Sequence, residues 1–385
     1  MSELWSLAED ASHKLRLNSP VGGWFPVLQD LTLYITESNL PYVNLFFSPR
    51  LKNVHIYIAT QSWGAPRDIV PAISSTISVL PAPALQSLVI DPSCNAVPWV
   101  DFKDSLSSVV LRCGPSLREF TSRVPLSDAA VDHLIHLPHL HTWRAEGPPP
   151  SYSTSPMPLV FPPLTKLTLG KGTARGWISL FGRLENSIST TQGLTPLSKM
   201  KGSLKFLNLP CSTIDASLTS PVQRFRNLVN LSVGVDEGGE GECTFKLNND
   251  SVTKLATSLS QLEALVLGWP CLKNSCATTV ACLLPISVHC LELQQLMIHF
   301  NTTNIIEDLK NISEGHRFQD LRSLPKCTLS TLHVHRMPLA LGEPGFATVV
   351  NGMVNIFPSL ERCVGAPGNF DWRALSRGIA EVQKM

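Results

Sequence analysis

The sequence predicts an α/β fold, a leucine-rich solenoid of about twelve irregular repeats with parallel strands on a concave face and helices on a convex one. Three observations predict it. A short apolar phrase, Leu-x-x-Leu-x-Leu with conservative replacements, recurs along most of the 385 residues. Stretches with helical spacing of apolar residues lie between the phrases. Proline is abundant, 30 residues in all, and in many phrases it stands two residues before the first leucine: Pro26, Pro49, Pro83, Pro115, Pro138, Pro162 and Pro358.

The phrase opens at Leu28, Leu51, Leu85, Leu117, Leu140, Leu164, Leu204, Leu228, Leu262, Leu293, Leu329 and Leu360, at intervals of 23 to 40 residues. Its last two apolar positions are two apart, the period of a strand whose alternate side chains face one core. Leu31-x-Leu33, Leu167-x-Leu169 and Leu265-x-Leu267 are clear cases; Phe120-x-Ser122 and Cys363-x-Gly365 are degraded ones. Helices are predicted over residues 127–136, where Ser127-Asp128 forms a cap, and over 249–259, 304–312 and 346–357. Proline cannot continue a helix and presets an extended backbone, so each one is expected to stop a helix and lead into the next strand. A strand and a helix in each unit of about 30 residues make a leucine-rich-repeat solenoid, in which each unit buries its apolar face only by stacking on neighbours. A parallel β-helix, the alternative, has shorter coils and no helices. The asparagine or cysteine often found at the ninth repeat position is mostly replaced, with Asn301 the clearest case.

This reading divides the chain into an N-terminal cap (residues 1–24), the solenoid (25–365) and a C-terminal capping helix (366–385). In that helix Trp372, Leu375, Ile379 and Val382 share one face. Residues 146–163, 189–202 and 236–242 read as surface loops: proline-rich, polar and acidic in turn.

Composition narrows the function. The net charge is +1 and 16% of residues are charged, which argues against nucleic-acid or anionic-membrane partners, because both require clustered Lys and Arg. No apolar run reaches the roughly 18 residues of a membrane span, and acids at Glu3, Glu9 and Asp10 replace the basic start of a signal peptide. The 10 cysteines contain no Cys-x-x-Cys pair and read as reduced, buried thiols. Cytoplasm or nucleus is the expected compartment.

Motifs that carry chemistry are few. His133, His136, His139 and His141 have ligand-like spacing, but Pro138 splits them between a helix end and a strand start. Cys271, Cys276, Cys282 and Cys290 lack the close pairs of a zinc site. Gly170-Lys-Gly-Thr-Ala-Arg-Gly176 imitates a dinucleotide-binding turn, yet its nearest acid, Glu185, falls inside a predicted helix. Asp236, Glu237, Glu240 and Glu242 do not follow the calcium-loop pattern. The expectation is therefore no catalytic residue, no metal, no cofactor, and no enzyme. What remains is binding. The residue between the last two apolar positions of each phrase, and those two away from it, point off the core. They predict a partner-binding concave face including His55, Tyr57, Glu119, Arg144, Lys166, Phe206, Asn208, Asn230, Met297, His299, His333 and His335.

Particular phrases add a resemblance. Phe25-Pro-Val-Leu-Gln-Asp-Leu-Thr-Leu33, Phe161-Pro-Pro-Leu-Thr-Lys-Leu-Thr-Leu169 and Phe357-Pro-Ser-Leu360 resemble the Phe-Pro-x-Leu-x-x-Leu repeats of F-box leucine-rich-repeat proteins of mushroom-forming fungi. Residues 45–51 and 126–140 are similar to segments of the same group. The resemblance implies a substrate-recognition subunit of a cullin-RING ubiquitin ligase, whose repeats hold a protein substrate while an F-box binds the ligase adaptor. Nothing before Trp24 matches an F-box, so adaptor binding is implied only if one lies upstream. The alternative is a leucine-rich scaffold or sensor with no ubiquitin link.

Overall fold

The computed structural model describes residues 25–36, 39–58, 66–92, 102–145, 164–170, 203–210, 213–234, 244–268, 276–314, 326–334, 343–365 and 372–384. The predicted N-terminal cap, the three predicted loops and the glycine-rich segment after Gly170 lie outside them. The chain forms two compact units, Met1–Leu164 and Thr165–Met385.

In the first unit, β1 (Asp30–Ile35), β2 (Asn53–Ile58), β3 (Ser87–Pro92), β4 (Glu119–Ser122) and β5 (Thr142–Ala145) pair in chain order, all parallel. The second unit holds β6 (Lys166–Leu169), β7 (Phe206–Pro210), β8 (Thr213–Ile214), β9 (Asn230–Gly234), β10 (Thr244–Phe245), β11 (Ala264–Leu267), β12 (Gln295–Ile298), β13 (Thr331–Val334) and β14 (Arg362–Gly365). Seven of these form its parallel sheet, in the order β6-β7-β9-β11-β12-β13-β14. The short β8 and β10 pair with each other in a small second sheet. Parallel strands, one per leucine phrase, with helices between most of the described neighbours, are the repeat solenoid that the sequence predicts.

Within each unit, register places the phrases at the same height. Leu31, Val54, Leu88, Phe120 and Trp143 align across the first unit, and Leu207, Leu231, Leu265, Leu296, Leu332 and Cys363 across the second. All of them are buried. The degraded phrases keep this register for local reasons. Ser122 is buried at a leucine position, and its Oγ accepts the Val124 N–H at 2.9 Å, so no polar atom is stranded. Gly365 leaves room for the Trp372 indole, which any Cβ at that position would strike.

The prolines have a more specific place than the sequence suggests. The N–H of the phrase-opening leucine donates to the carbonyl three residues earlier: Leu28 to Phe25 (3.0 Å), Leu51 to Ser48 (3.1 Å), Leu85 to Ala82 (3.2 Å) and Leu360 to Phe357 (3.1 Å). Pro26, Pro49, Pro83 and Pro358 are thus the second residue of a four-residue turn, where a fixed φ near −65° fits. Leu228, Leu262 and Leu293 close the same turn without proline. The phenylalanine that opens the turn is also anchored: Phe25 stacks on Phe46 at 5.3 Å, and Phe357 is fully buried.

Helices cover the inward side of each sheet. They are α1 (Pro66–Ser78), α2 (Lys103–Arg112) and α3 (Asp128–Ile135), then α4 (Thr219–Val222), α5 (Asn249–Ser258), α6 (Leu283–His289), α7 (Ile305–Glu314), α8 (Glu343–Ile356) and α9 (Trp372–Val382). Neighbours pack side by side, α1 on α2, α2 on α3, α5 on α6, α7 on α8 and α8 on α9. Small polar residues start them. Ser127 accepts from Ala130 N–H at the head of α3, and Asn248 accepts from Ser251 N–H at the head of α5. Asn301, expected to mark the ninth repeat position, accepts from Thr303 N–H just before α7. In α9, Leu375 and Ile379 are the buried pair, and the helix packs on β14 and α8.

The candidate interaction face

Side chains that alternate with the leucines point away from the helices and form rows across each sheet. In the first unit the leading row is Asp30, Asn53, Ser87, Glu119 and Thr142, and the central row is Thr32, His55, Val89, Thr121 and Arg144. Tyr34, Tyr57 and Asp91 make a third row. These groups bond to one another. Asn53 donates to Asp30 at 2.5 Å, Ser87 donates to Glu119 at 3.0 Å, and the His55 ring lies 3.4 Å from Ser87 Oγ. Tyr34 and Tyr57 stack with centroids 4.9 Å apart, and Arg123 pairs with Asp91 at 3.0 Å.

In the second unit the leading row runs from Lys166 through Phe206, Asn230, Ala264, Gln295 and Thr331 to Arg362. Thr168, Asn208, Ser232, Val266, Met297, His333 and Val364 form the central row. Neither row contains an acid. The described third-row residues are buried: Gly170, Pro210, Gly234, Gly268 and, past the end of β12, His299. Gly268 has φ +74, and a Cβ there would enter the Phe245 ring.

The residues expected on this face fall into groups. Arg144, Lys166 and Phe206 are exposed, Phe206 at 41%. His55, Tyr57, Glu119, Asn208, Asn230, Met297 and His333 stand half-buried in the outward rows. Burial, reinforced by the neighbouring Arg362 charge, pulls the His333 pKa below its ordinary value. His299 is different. It follows the last residue of β12; its N–H extends the ladder to the Leu267 carbonyl at 3.1 Å, and its ring lies edge-on to Phe245. It is buried and does not line the open face. His335 lies outside the described residues. Tyr34, 65% exposed, belongs to this face as well, since the two-residue alternation that gives Tyr57 reaches it too.

The other chemical motifs serve the fold. His133 Nε2 lies 2.9 Å from the Cys113 carbonyl and His136 Nδ1 lies 2.6 Å from the Asp132 carbonyl. Among the described residues, no group of three or more His, Cys, Asp or Glu is placed to hold a metal ion. Cys276, Cys282 and Cys290 are free, buried thiols. Cys290 donates to the Leu259 carbonyl of the preceding repeat at 3.6 Å, and Cys327 donates to the Cys290 carbonyl at 3.2 Å. Burial pushes the Cys113, Cys290 and Cys363 thiols up to about 12. No described helix is long and apolar enough to cross a membrane.

No protein-family model matches the chain, and no curated protein matches its sequence. Among solved structures, the yeast Rad7 and Elc1 complex aligns over 89% of this chain and 86% of the matched one, at 15% identity and a TM-score of 0.42. The fold assignment rests on the strand order and register of the chain itself.

Proposed function

We propose that the chain is a non-catalytic protein-interaction module whose open sheet face holds a partner protein. In the cell it acts as the substrate-recognition part of an F-box-type subunit of a cullin-RING ubiquitin ligase. The observation that carries the binding reading is the pair of outward rows held in register on the sheet of each unit, with Arg144 exposed in the first unit and Lys166 and Phe206 exposed in the second. A large aromatic residue held open on a rigid strand is the kind of anchor that dominates interfaces. The ligase part rests on the Phe-Pro-x-Leu phrasing alone.

Affinity capture with three forms of the chain tests the binding reading: unaltered, Phe206→Ser with Arg144→Glu, and Lys254→Glu on the exposed side of α5. Partners held by the first and third forms and lost by the second support it; equal capture by all three overturns it. The ligase part has a separate test. The cullin adaptor must co-purify with the product of the complete gene; if it does not, the chain is a scaffold or sensor without a ubiquitin link.

A further inference from the structure

The second unit's face is specific about charge, and from it we infer the class of partner: an extended peptide segment, uncharged and partly apolar in its middle, with an acidic side chain at each end. This deepens the reading of the open face as a binding surface and rests on it. The two outward rows of seven strands carry no Asp or Glu, and their permanent charges are Lys166 and Arg362, both positive and both exposed. These stand on β6 and β14, the two ends of the unit's sheet. The acids Glu263 and Glu361 are exposed one residue before the leading row, at the lower edge of the strip and outside its two rows.

Dimensions select an extended chain. Six strand-to-strand steps of about 4.8 Å put the two cations roughly 29 Å apart, which about nine residues of extended peptide cover at about 3.3 Å each. On β6, β7, β9, β11 and β12 the third-row residues are buried, so the open strip there is two side-chain rows wide, about 7 Å, narrower than the roughly 10–12 Å diameter of a helix. Between the cations, Phe206, Val266 and Met297 offer apolar contact, while the Asn208 and Asn230 amides can each donate and accept with a peptide main chain. Two cations so far apart make no phosphate track, which needs a continuous run of charge.

The test is selection from a display library of random 12-residue peptides by the full chain, followed by fluorescence anisotropy of the selected peptides. The assignment expects sequences with acids near both ends and Leu, Ile, Val or Phe between. Lys166→Glu, Arg362→Glu and Phe206→Ser each weaken binding by about tenfold. A peptide with its matching acid changed to Lys regains affinity for the charge-reversed protein. Selected peptides that are basic, or that bind the charge-reversed proteins unchanged, overturn the assignment. Peptides that are lost instead with Tyr57→Ser or Arg144→Glu overturn it while leaving the general binding reading intact. If no peptide is selected, the extended-peptide assignment falls, and the affinity capture described above decides the general reading separately.

Discussion

The open faces of the two units are built on the same backbone ladder and use it differently. On the first unit the outward side chains are engaged with each other: Tyr34 on Tyr57, Asp91 with Arg123, Asn53 with Asp30, and Ser87 between His55 and Glu119. Cross-strand pairs of this kind contribute about 0.2–1 kcal/mol each. On the second unit the corresponding positions hold exposed Lys166, Phe206 and Arg362 among amide, small and apolar residues, and the third row is glycine or proline on β6, β7, β9 and β11. A repeat fold can therefore direct its outward residues to its own stability in one stretch and keep them available in another. Nothing in the leucine pattern distinguishes the two cases.

Two phenylalanines give the widest test of that contrast. Phe120, on the inward row of β4, is fully buried, whereas Phe206 faces out on β7. Phe120→Ala is expected to cost about 3–5 kcal/mol in urea unfolding, and Phe206→Ala to stay within about 0.5 kcal/mol. Equal losses would mean that the second unit's face is covered. Next is Gly268→Ala, which forces a side chain into the left-handed region and against Phe245, at a cost of about 2–4 kcal/mol. A double-mutant cycle on Tyr34 and Tyr57 should return a coupling of about 0.5–1.5 kcal/mol; a coupling near zero would remove the claim that the first face is self-satisfied. The smallest effect is electrostatic. His333 has a depressed pKa in the folded chain and the ordinary value, about 6.5, when unfolded. Below that value the unfolded chain binds the extra proton, so stability falls as the pH drops through about 6.5 and is fully present above it. His333→Gln should flatten that slope, read as the urea midpoint between pH 5 and 8.

Much of the fold was legible because one phrase encodes both a strand and its register. The helices at α3, α5, α7 and α8 followed from caps and apolar spacing. α1 and α2 did not: Pro71 inside α1 reads as a stop, and the serines of α2 favour caps and turns over helix interiors. The turn role of the prolines was hidden because proline at that spacing fits either an extended lead or a turn, and only the leucine N–H bond distinguishes them. On the face, Lys166 and Phe206 stand exposed in the outward rows that alternation assigns them, whereas His299, one residue past the end of β12, is buried. Which outward residues are already bonded depends on neighbours some 20 to 35 residues away, such as Ser87 with Glu119, and a one-dimensional pattern does not carry that information.

The buried thiols make the folded chain a poor target for alkylation. The reactive form of cysteine is the thiolate, and at Cys113, Cys290 and Cys363 it forms only around pH 12. An alkylating reagent at neutral pH is therefore nearly blind to these residues until the repeat that holds them opens. Cys113 belongs to the first unit, Cys290 and Cys363 to the second. Timed labelling at each, read by mass spectrometry, would act as a separate clock for the opening of each unit, with no added probe and no change of sequence.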